Sequence, residues 1–396
     1  MQNSARYPKG TGRIARALAA GLLLTFAVIT ADPQVSVAQT SPSPLHGEFT
    51  IGKNGRLILL PVRIGERDVL CMLDTGASLS AFDMTLRAHL GKHRESRLLD
   101  TPGARKRVET FDWPSVKLGD QTLSSSKPVA GIDLEVLRQA SNEQIFGVIG
   151  MDVVGASRVQ IDFDRGILRF LPHLPRSRDQ LGERIPIRFS EDGTPRLAGS
   201  IAEKRMEQFL IDTGTQGNSL APEVFDELIE EGHLQLGSTF ASVTIAGSTS
   251  GERGLLDSVT VGPFTHARLR FSRVRMSSLG LRYFSRFRAT FDFPGECLYL
   301  QKGVQDDKSE PQATSGLILK WIDGEARVDG LREGGSAESA GVLPGDILVQ
   351  IEGRPARDYD SFALRELMTS RAGRKIAVTV RRRERRIDFE VVLDSD

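Results

Sequence analysis

Between residues 57 and 73 the chain runs apolar, breaks at Gly65-Glu66-Arg67-Asp68, and runs apolar again over Val69-Leu70-Cys71-Met72-Leu73. Two apolar runs joined by a short polar turn predict a β-hairpin, and its second strand ends in Asp74-Thr75-Gly76. The plan recurs over residues 196–211: Ala202-Glu203-Lys204-Arg205 forms the turn, residues 206–211 the second strand, and Asp212-Thr213-Gly214 follows. The two turns align without a gap. A second block repeats further on, where Val148-Ile149-Gly150 is followed twelve residues later by Asp162-Phe163, and Ser278-Leu279-Gly280 twelve residues later by Asp292-Phe293. A fainter match pairs Val116-Lys117-Leu118-Gly119 with Val259-Thr260-Val261-Gly262. Three landmarks in one order imply a duplicated unit, which decides the fold before any single element is named. The expected architecture is mainly β, with two homologous lobes at 47–172 and 183–302 joined through the Pro- and Arg-containing stretch 171–182.

The pattern changes after Leu300. Residues 303–312 are polar apart from Val304 and Pro311 and read as a linker. Beyond it, residues 316–319, 326–328 and 347–351 are strand-like, 361–369 have helical spacing, and 376–380 with 387–393 predict a terminal hairpin. Residues 313–396 are thus a small α+β domain with its own core.

Each Asp-Thr-Gly stands where an apolar strand becomes a loop, so its carboxylate emerges at the edge of buried backbone and its Gly eases the turn. A single such tripeptide reads as an ordinary turn, because Asp and Thr side chains bond readily to nearby amides. Duplication at equivalent positions adds chemistry. An approximate twofold axis between the lobes brings Asp74 and Asp212 together, and two close carboxyls share a proton and titrate as a pair. One is then a base toward water and the other an acid toward a carbonyl, which is what peptide hydrolysis needs without a metal or covalent intermediate.

Leu73-Asp74-Thr75-Gly76-Ala77-Ser78 and Ile211-Asp212-Thr213-Gly214-Thr215, each followed by an apolar-apolar-Gly block, resemble the retropepsin-like and pepsin-like aspartic peptidases. The resemblance covers both lobes and implies a bilobal acid-protease unit. It implies catalytic roles for Asp74 and Asp212, a brace between the loops at Thr75 and Thr213, and loop support from Gly76, Ser78 and Gly214. Ile149-Gly150 and Leu279-Gly280 would pack behind the loops. It also implies a hairpin flap over the substrate; the segments around 98–107 and 245–254 are candidates, and neither carries a tyrosine of the pepsin kind. Gln216 departs from the pattern, standing where the first loop has Ser78.

In the C-terminal domain, residues 335–348 and Ile351-Glu352-Gly353 resemble bacterial PDZ domains. Such modules add an extended peptide beside a sheet edge and capture its C-terminal carboxylate. The resemblance implies that Gly316, Leu317 and Ile318 form the edge strand and carboxylate loop, with helix 361–369 as the facing wall. PDZ folds that merely pack against a neighbour are the alternative.

The reading that follows is an aspartic endopeptidase acting on extended peptide or unfolded protein segments, needing no cofactor or metal, with a PDZ module for peptide binding or regulation. Two rivals remain: a non-catalytic peptide-binding or scaffold protein on the same lobes, and a homodimer pairing Asp74 with Asp74 and Asp212 with Asp212. Composition narrows the partners. With 52 Lys plus Arg against 51 Asp plus Glu, the net charge of +1 provides no global field toward nucleic acid or anionic lipid. Arg6, Lys9, Arg13 and Arg16 precede the apolar run 17–31, and Ser36-Val37-Ala38 offers a cleavage site. That layout predicts an export signal over 1–38, a periplasmic or secreted protein, and no stable membrane span after cleavage. Cys71 and Cys297 lie in apolar runs and read as buried thiols rather than a disulfide. His89 and His93 lack further clustered ligands and read as surface residues, and the basic run 381–386 reads as a hairpin turn.

Overall fold

The computed structural model describes residues 45–395 except 101–104, 245–246, 309 and 311–312. The expected export segment 1–38 lies outside the described residues, as do the connecting residues of both candidate flap hairpins. Among the described residues no helix is long and apolar enough to cross a membrane.

The first predicted hairpin forms from Leu59–Ile64 and Arg67–Leu73, in a register that sets Leu60 opposite Cys71 and Val62 opposite Val69. Leu60, Val62 and Ile64 alternate with outward positions and are buried, as the two-residue period of a strand requires. Its counterpart is Pro195–Ile201 with Arg205–Ile211. Here Ala202 and Glu203 take left-handed φ values of 49° and 60° at the turn, where the first hairpin uses Gly65 at 58°.

The repeated blocks occupy matching places. Ile145–Ile149 runs parallel to Arg67–Leu73, and Ser278–Leu279 runs parallel to Arg205–Ile211, so Ile149 pairs with Leu73 and Leu279 with Ile211. Val116–Leu118 edges the first hairpin, and Val259 and Thr260 edge the second. The strands that end at Asp162 and Asp292 pair antiparallel with each other, with Gln160 opposite Thr290 at the centre. Gln160 Nε2 donates to Thr290 Oγ1 at 3.0 Å, and Arg158 pairs with Asp292 at 2.9 Å. One hydrogen-bonded sheet thereby runs from one half into the other. A continuous core rich in phenylalanine, including Phe163, Phe209, Phe271, Phe291 and Phe293, underlies both. Cys71 and Cys297 are buried with free thiols.

The polar stretch read as a linker is strapped to the second half. Arg286 Nη1 donates to the carbonyl oxygens of Asp306 at 2.8 Å and Lys308 at 2.9 Å. Asp306, 5% exposed, meets His266 Nε2 at 3.0 Å and Lys302 Nζ at 2.7 Å. Glu310 accepts from the Arg270 amide at 2.9 Å. The cost of burying Asp306 is offset by His266 and Lys302, and that of burying Arg286 by the strap carbonyls it donates to.

The C-terminal module is a sheet ordered Leu317–Ile322, Glu325–Leu331, Ile347–Ile351, Lys375–Arg382, Arg385–Val392, with helix Ser361–Met368 on one face. Trp321, Val328, Leu348, Ile351, Leu364 and Val380 belong to its separate core. The basic run does form the last hairpin turn. Arg382 grips the buried Asp346 through two bonds of 2.8 Å, and Arg381 pairs with Glu325.

Candidate active site

Leu73 and Ile211 are the last buried residues of two strands, and the chain turns immediately after each. The Asp74 amide donates to the Ile149 carbonyl at 3.0 Å, and the Asp212 amide to the Leu279 carbonyl at 3.1 Å. The next residues interlock across the halves. The Thr75 amide donates to Thr213 Oγ1 at 3.0 Å, and the Thr213 amide to Thr75 Oγ1 at 3.1 Å. Each hydroxyl then donates onward, Thr75 to the Ile211 carbonyl at 2.7 Å and Thr213 to the Leu73 carbonyl at 2.9 Å. Both threonines are buried, at 2% and 0% exposure, so these four bonds replace water that cannot reach the loops.

The grip sets the carboxyls against the opposite loop. Gly76 donates to its own Asp74 Oδ1 at 2.8 Å and Gly214 to Asp212 Oδ1 at 3.0 Å. A Cβ on Gly76 would lie 2.8 Å from Asp212 Cγ, and one on Gly214 would lie 2.3 Å from Asp74 Cγ. Neither position has room for a side chain. Burial pushes the Asp74 carboxyl up, against the pull of the Gly76 and Ala77 amides. Asp212 is pushed up further, by burial first and by the negative charge of Asp74 second. Both carboxyls are thus held above the usual carboxylate range, and they titrate as a pair.

Support behind the loops is symmetric in geometry but not in residue type. Six residues after Asp74, Ser80 Oγ accepts from the Gly150 amide at 2.9 Å; six after Asp212, Asn218 Oδ1 accepts from the Gly280 amide at 3.1 Å. Met151 and Leu281 amides close onto the Ala77 and Thr215 carbonyls at 2.8 and 2.9 Å. Ser80 also bonds to Asp152 at 2.7 Å, a buried carboxyl raised by desolvation. Sequence reasoning missed Ser80, Asn218 and Asp152; the equal six-residue offset from each Asp was the available signal. Ser78 offers its carbonyl to Lys127 Nζ at 3.4 Å. Gln216 accepts from Arg365 Nη1 of the C-terminal helix at 2.8 Å.

Both candidate flap segments are hairpins among the described residues: Arg97–Asp100 with Arg105–Phe111, and the longer Leu234–Thr244 with Gly247–Val261. His89 closes a short helical turn and His93 pairs with Glu109 at 3.5 Å, so the two take separate surroundings.

In the C-terminal module, Leu317–Ile322 is an edge strand, as expected. Gly316, at φ 75°, donates its amide to Thr314 Oγ1 at 3.1 Å, and the Leu317 amide donates to Ser315 Oγ at 3.3 Å. Helix Glu135–Ser141 of the first half, which sequence reasoning did not anticipate, packs against both this strand, which includes Ile318, and helix Ser361–Met368. Its Arg138 anchors it through the buried Asp83 at 2.8 Å. Arg56 clasps the facing helix by pairing with Asp360 and lying 5.1 Å from the centre of the Phe362 ring.

Residues 60–153 match the family described as aspartyl protease, and residues 327–382 match the family described as PDZ domain. No curated protein matches the chain. Among solved structures, the photosystem II D1 C-terminal processing protease is similar at 18% identity and TM-score 0.20, over 21% of this chain and 23% of that one. So small an overlap carries no argument about fold or activity. The chain therefore carries an aspartyl protease-like domain at 60–153 followed, beyond a second β-rich half, by a PDZ domain at 327–382.

Proposed function

We propose that this chain is an exported aspartic endopeptidase whose single site is built by Asp74 and Asp212 from two tandem lobes. The carrying observation is the reciprocal fit in which each carboxyl packs on the glycine of the opposite loop while the threonines exchange hydrogen bonds. Asp74, as carboxylate, takes a proton from a water; Asp212, holding the shared proton, polarises the scissile carbonyl. Water then attacks the carbonyl carbon, and the amine leaves with a proton returned from the pair. An extended peptide suits such a cleft, since pairing with a hairpin such as Leu234–Thr244 with Gly247–Val261 orients its backbone and supplies catalysis through positioning. The interlocked loops favour the intramolecular pair over a homodimeric site, because one chain provides both partners of every bond. The PDZ module acts as a regulator: helix Glu135–Ser141 stands at its peptide groove and also packs against the hairpin strand Leu234–Thr244. A peptide terminus entering that groove competes with the helix.

The water mechanism forms no acyl-enzyme. Digestion of a peptide mixture with hydroxylamine present yields free carboxyl products alone, whereas recovery of peptide hydroxamates would show covalent catalysis and overturn the reading.

A further inference from the structure

The two active-site loops are stitched to the segments behind them in nearly the same way. In the second half, the Leu279 carbonyl accepts from the Asp212 amide at 3.1 Å, and the Gly280 amide donates to Asn218 Oδ1 at 3.1 Å. The Leu281 and Arg282 amides then donate to the Thr215 and Gln216 carbonyls, each at 2.9 Å. In the first half, Ile149, Gly150 and Met151 make the equivalent bonds at Asp74, Ser80 and Ala77. The fourth stitch differs. Asp152 stands where the second half has Arg282, and its carboxylate Oδ1 accepts both the Ser80 amide at 2.8 Å and the Ser80 hydroxyl at 2.7 Å. The difference follows from the side chain that each loop offers its glycine. Asn218 carries acceptor and donor on one planar group, so Oδ1 serves Gly280 while Nδ2 donates to the Arg270 carbonyl at 3.3 Å. Ser80 carries a hydroxyl that can turn, and its oxygen offers a lone pair to the Gly150 amide only when its proton points elsewhere. Ser80 is fully buried, so water does not take that proton. Asp152 takes it, in the short, charge-assisted kind of bond that a hydroxyl makes to a carboxylate.

We infer that Asp152 is a positioning residue for Asp74: by holding the amide and the hydroxyl of Ser80, it fixes the far end of the loop that carries the first carboxyl. The near end is already held, by the Asp74 amide on Ile149 and by the Thr75 bonds across the halves. The role belongs to the first half alone, because the second loop closes through a main-chain bond at Gln216 and through an asparagine that orients itself. What Asp152 supplies is an accepting oxygen behind the loop. A carboxamide in its place serves, and a methyl group does not. The inference rests on the peptidase reading for its effect on catalysis, but not for the geometry of the loop.

Two measurements on full-length wild type, Asp152→Ala and Asp152→Asn separate the inference from that reading. In the first, kcat and KM are measured apart on one cleaved peptide. Asp152→Ala is expected to lose at least about ten-fold in kcat with KM within about two-fold, as a small misplacement of a reacting group does. Asp152→Asn stays within about three-fold of wild type in both, since its amide oxygen accepts the same two donors. Unchanged kcat in Asp152→Ala, or an equal loss in the two variants, overturns the inference. In the second, amide hydrogen exchange is followed at Gly150 and at its counterpart Gly280, which needs no cleavage. Asp152→Ala speeds exchange at Gly150 by at least about ten-fold and leaves Gly280 within about two-fold, while Asp152→Asn moves neither. Ser80→Ala removes the hydroxyl and keeps the residue-80 amide on Asp152; it should show the same contrast, and it carries the test if Asp152→Ala fails to fold. The contrast supports the inference even if wild type cleaves nothing, in which case the peptidase reading alone fails. Equal acceleration at both glycines marks general loosening and overturns the inference, as does no acceleration at either.

Discussion

At the scale of single residues, Asp74 and Asp212 titrate as a coupled pair. Both carboxyls are raised, chiefly by burial, and Asp212 further by the charge of Asp74. A carboxyl with a raised pKa keeps its proton to higher pH, so Asp212 stays an acid above the ordinary carboxylate range near about 4. The expected kcat/KM profile is bell-shaped, with both limbs belonging to the pair and the alkaline limb displaced upward. An alkaline limb near about pH 4 would contradict this. Thr75→Val removes a hydroxyl that both accepts the Thr213 amide and donates to the Ile211 carbonyl, leaving two buried polar groups unpaired. The expected loss is about 2–4 kcal/mol in urea unfolding, with activity falling alongside. Both aspartates and both threonines were legible in the sequence because duplication marked them. Ser80 and Asn218 were not, since they do the same task with different side chains and show only once the Gly150 and Gly280 amides are seen pointing at them.

At the scale of elements, the hairpins before each Asp, the parallel strands behind them and the PDZ strands follow from apolar patterning. Helix Glu135–Ser141 did not, because none of its residues is fully buried and its anchor is an ion pair between Arg138 and the distant Asp83. Composition marks residues 303–308 as a linker, but it cannot show that Arg286 and His266 meet it from 20 and 40 residues away along the chain. Its His266 has a pKa lowered by burial, partly offset by the bond to Asp306. A histidine held neutral in the folded state disfavours folding once acid charges it. The strap therefore keeps its full stability above the unfolded histidine value of about 6.5 and loses it as pH falls below. Hydrogen exchange at residues 303–308 should accelerate between about pH 6.5 and about pH 5 in wild type, relative to the intrinsic rate. The His266→Gln chain should show a smaller change; equal pH dependence in both would rule out His266 as the cause.

At the scale of the whole molecule, the chain joins two β-rich halves through one sheet and leans a PDZ module on both. The strap fixes that module to the second half, and Arg56 and helix Glu135–Ser141 fix it to the first. The presence of the module was legible from its glycine-rich run, but its placement depends on residues scattered from Arg56 to Arg365 and left no pattern to read. The central claim is that Asp74 and Asp212 of one chain make one catalytic site. Its most direct test is cleavage of a mixed peptide library by monomeric wild type, Asp74→Asn and Asp212→Asn chains of confirmed fold, from about pH 3 to about pH 7. Wild type is expected to cleave, and each variant to lose at least about a thousand-fold in kcat/KM. Cleavage by Asp212→Asn within about ten-fold of wild type would contradict it, because the second carboxyl would then be dispensable.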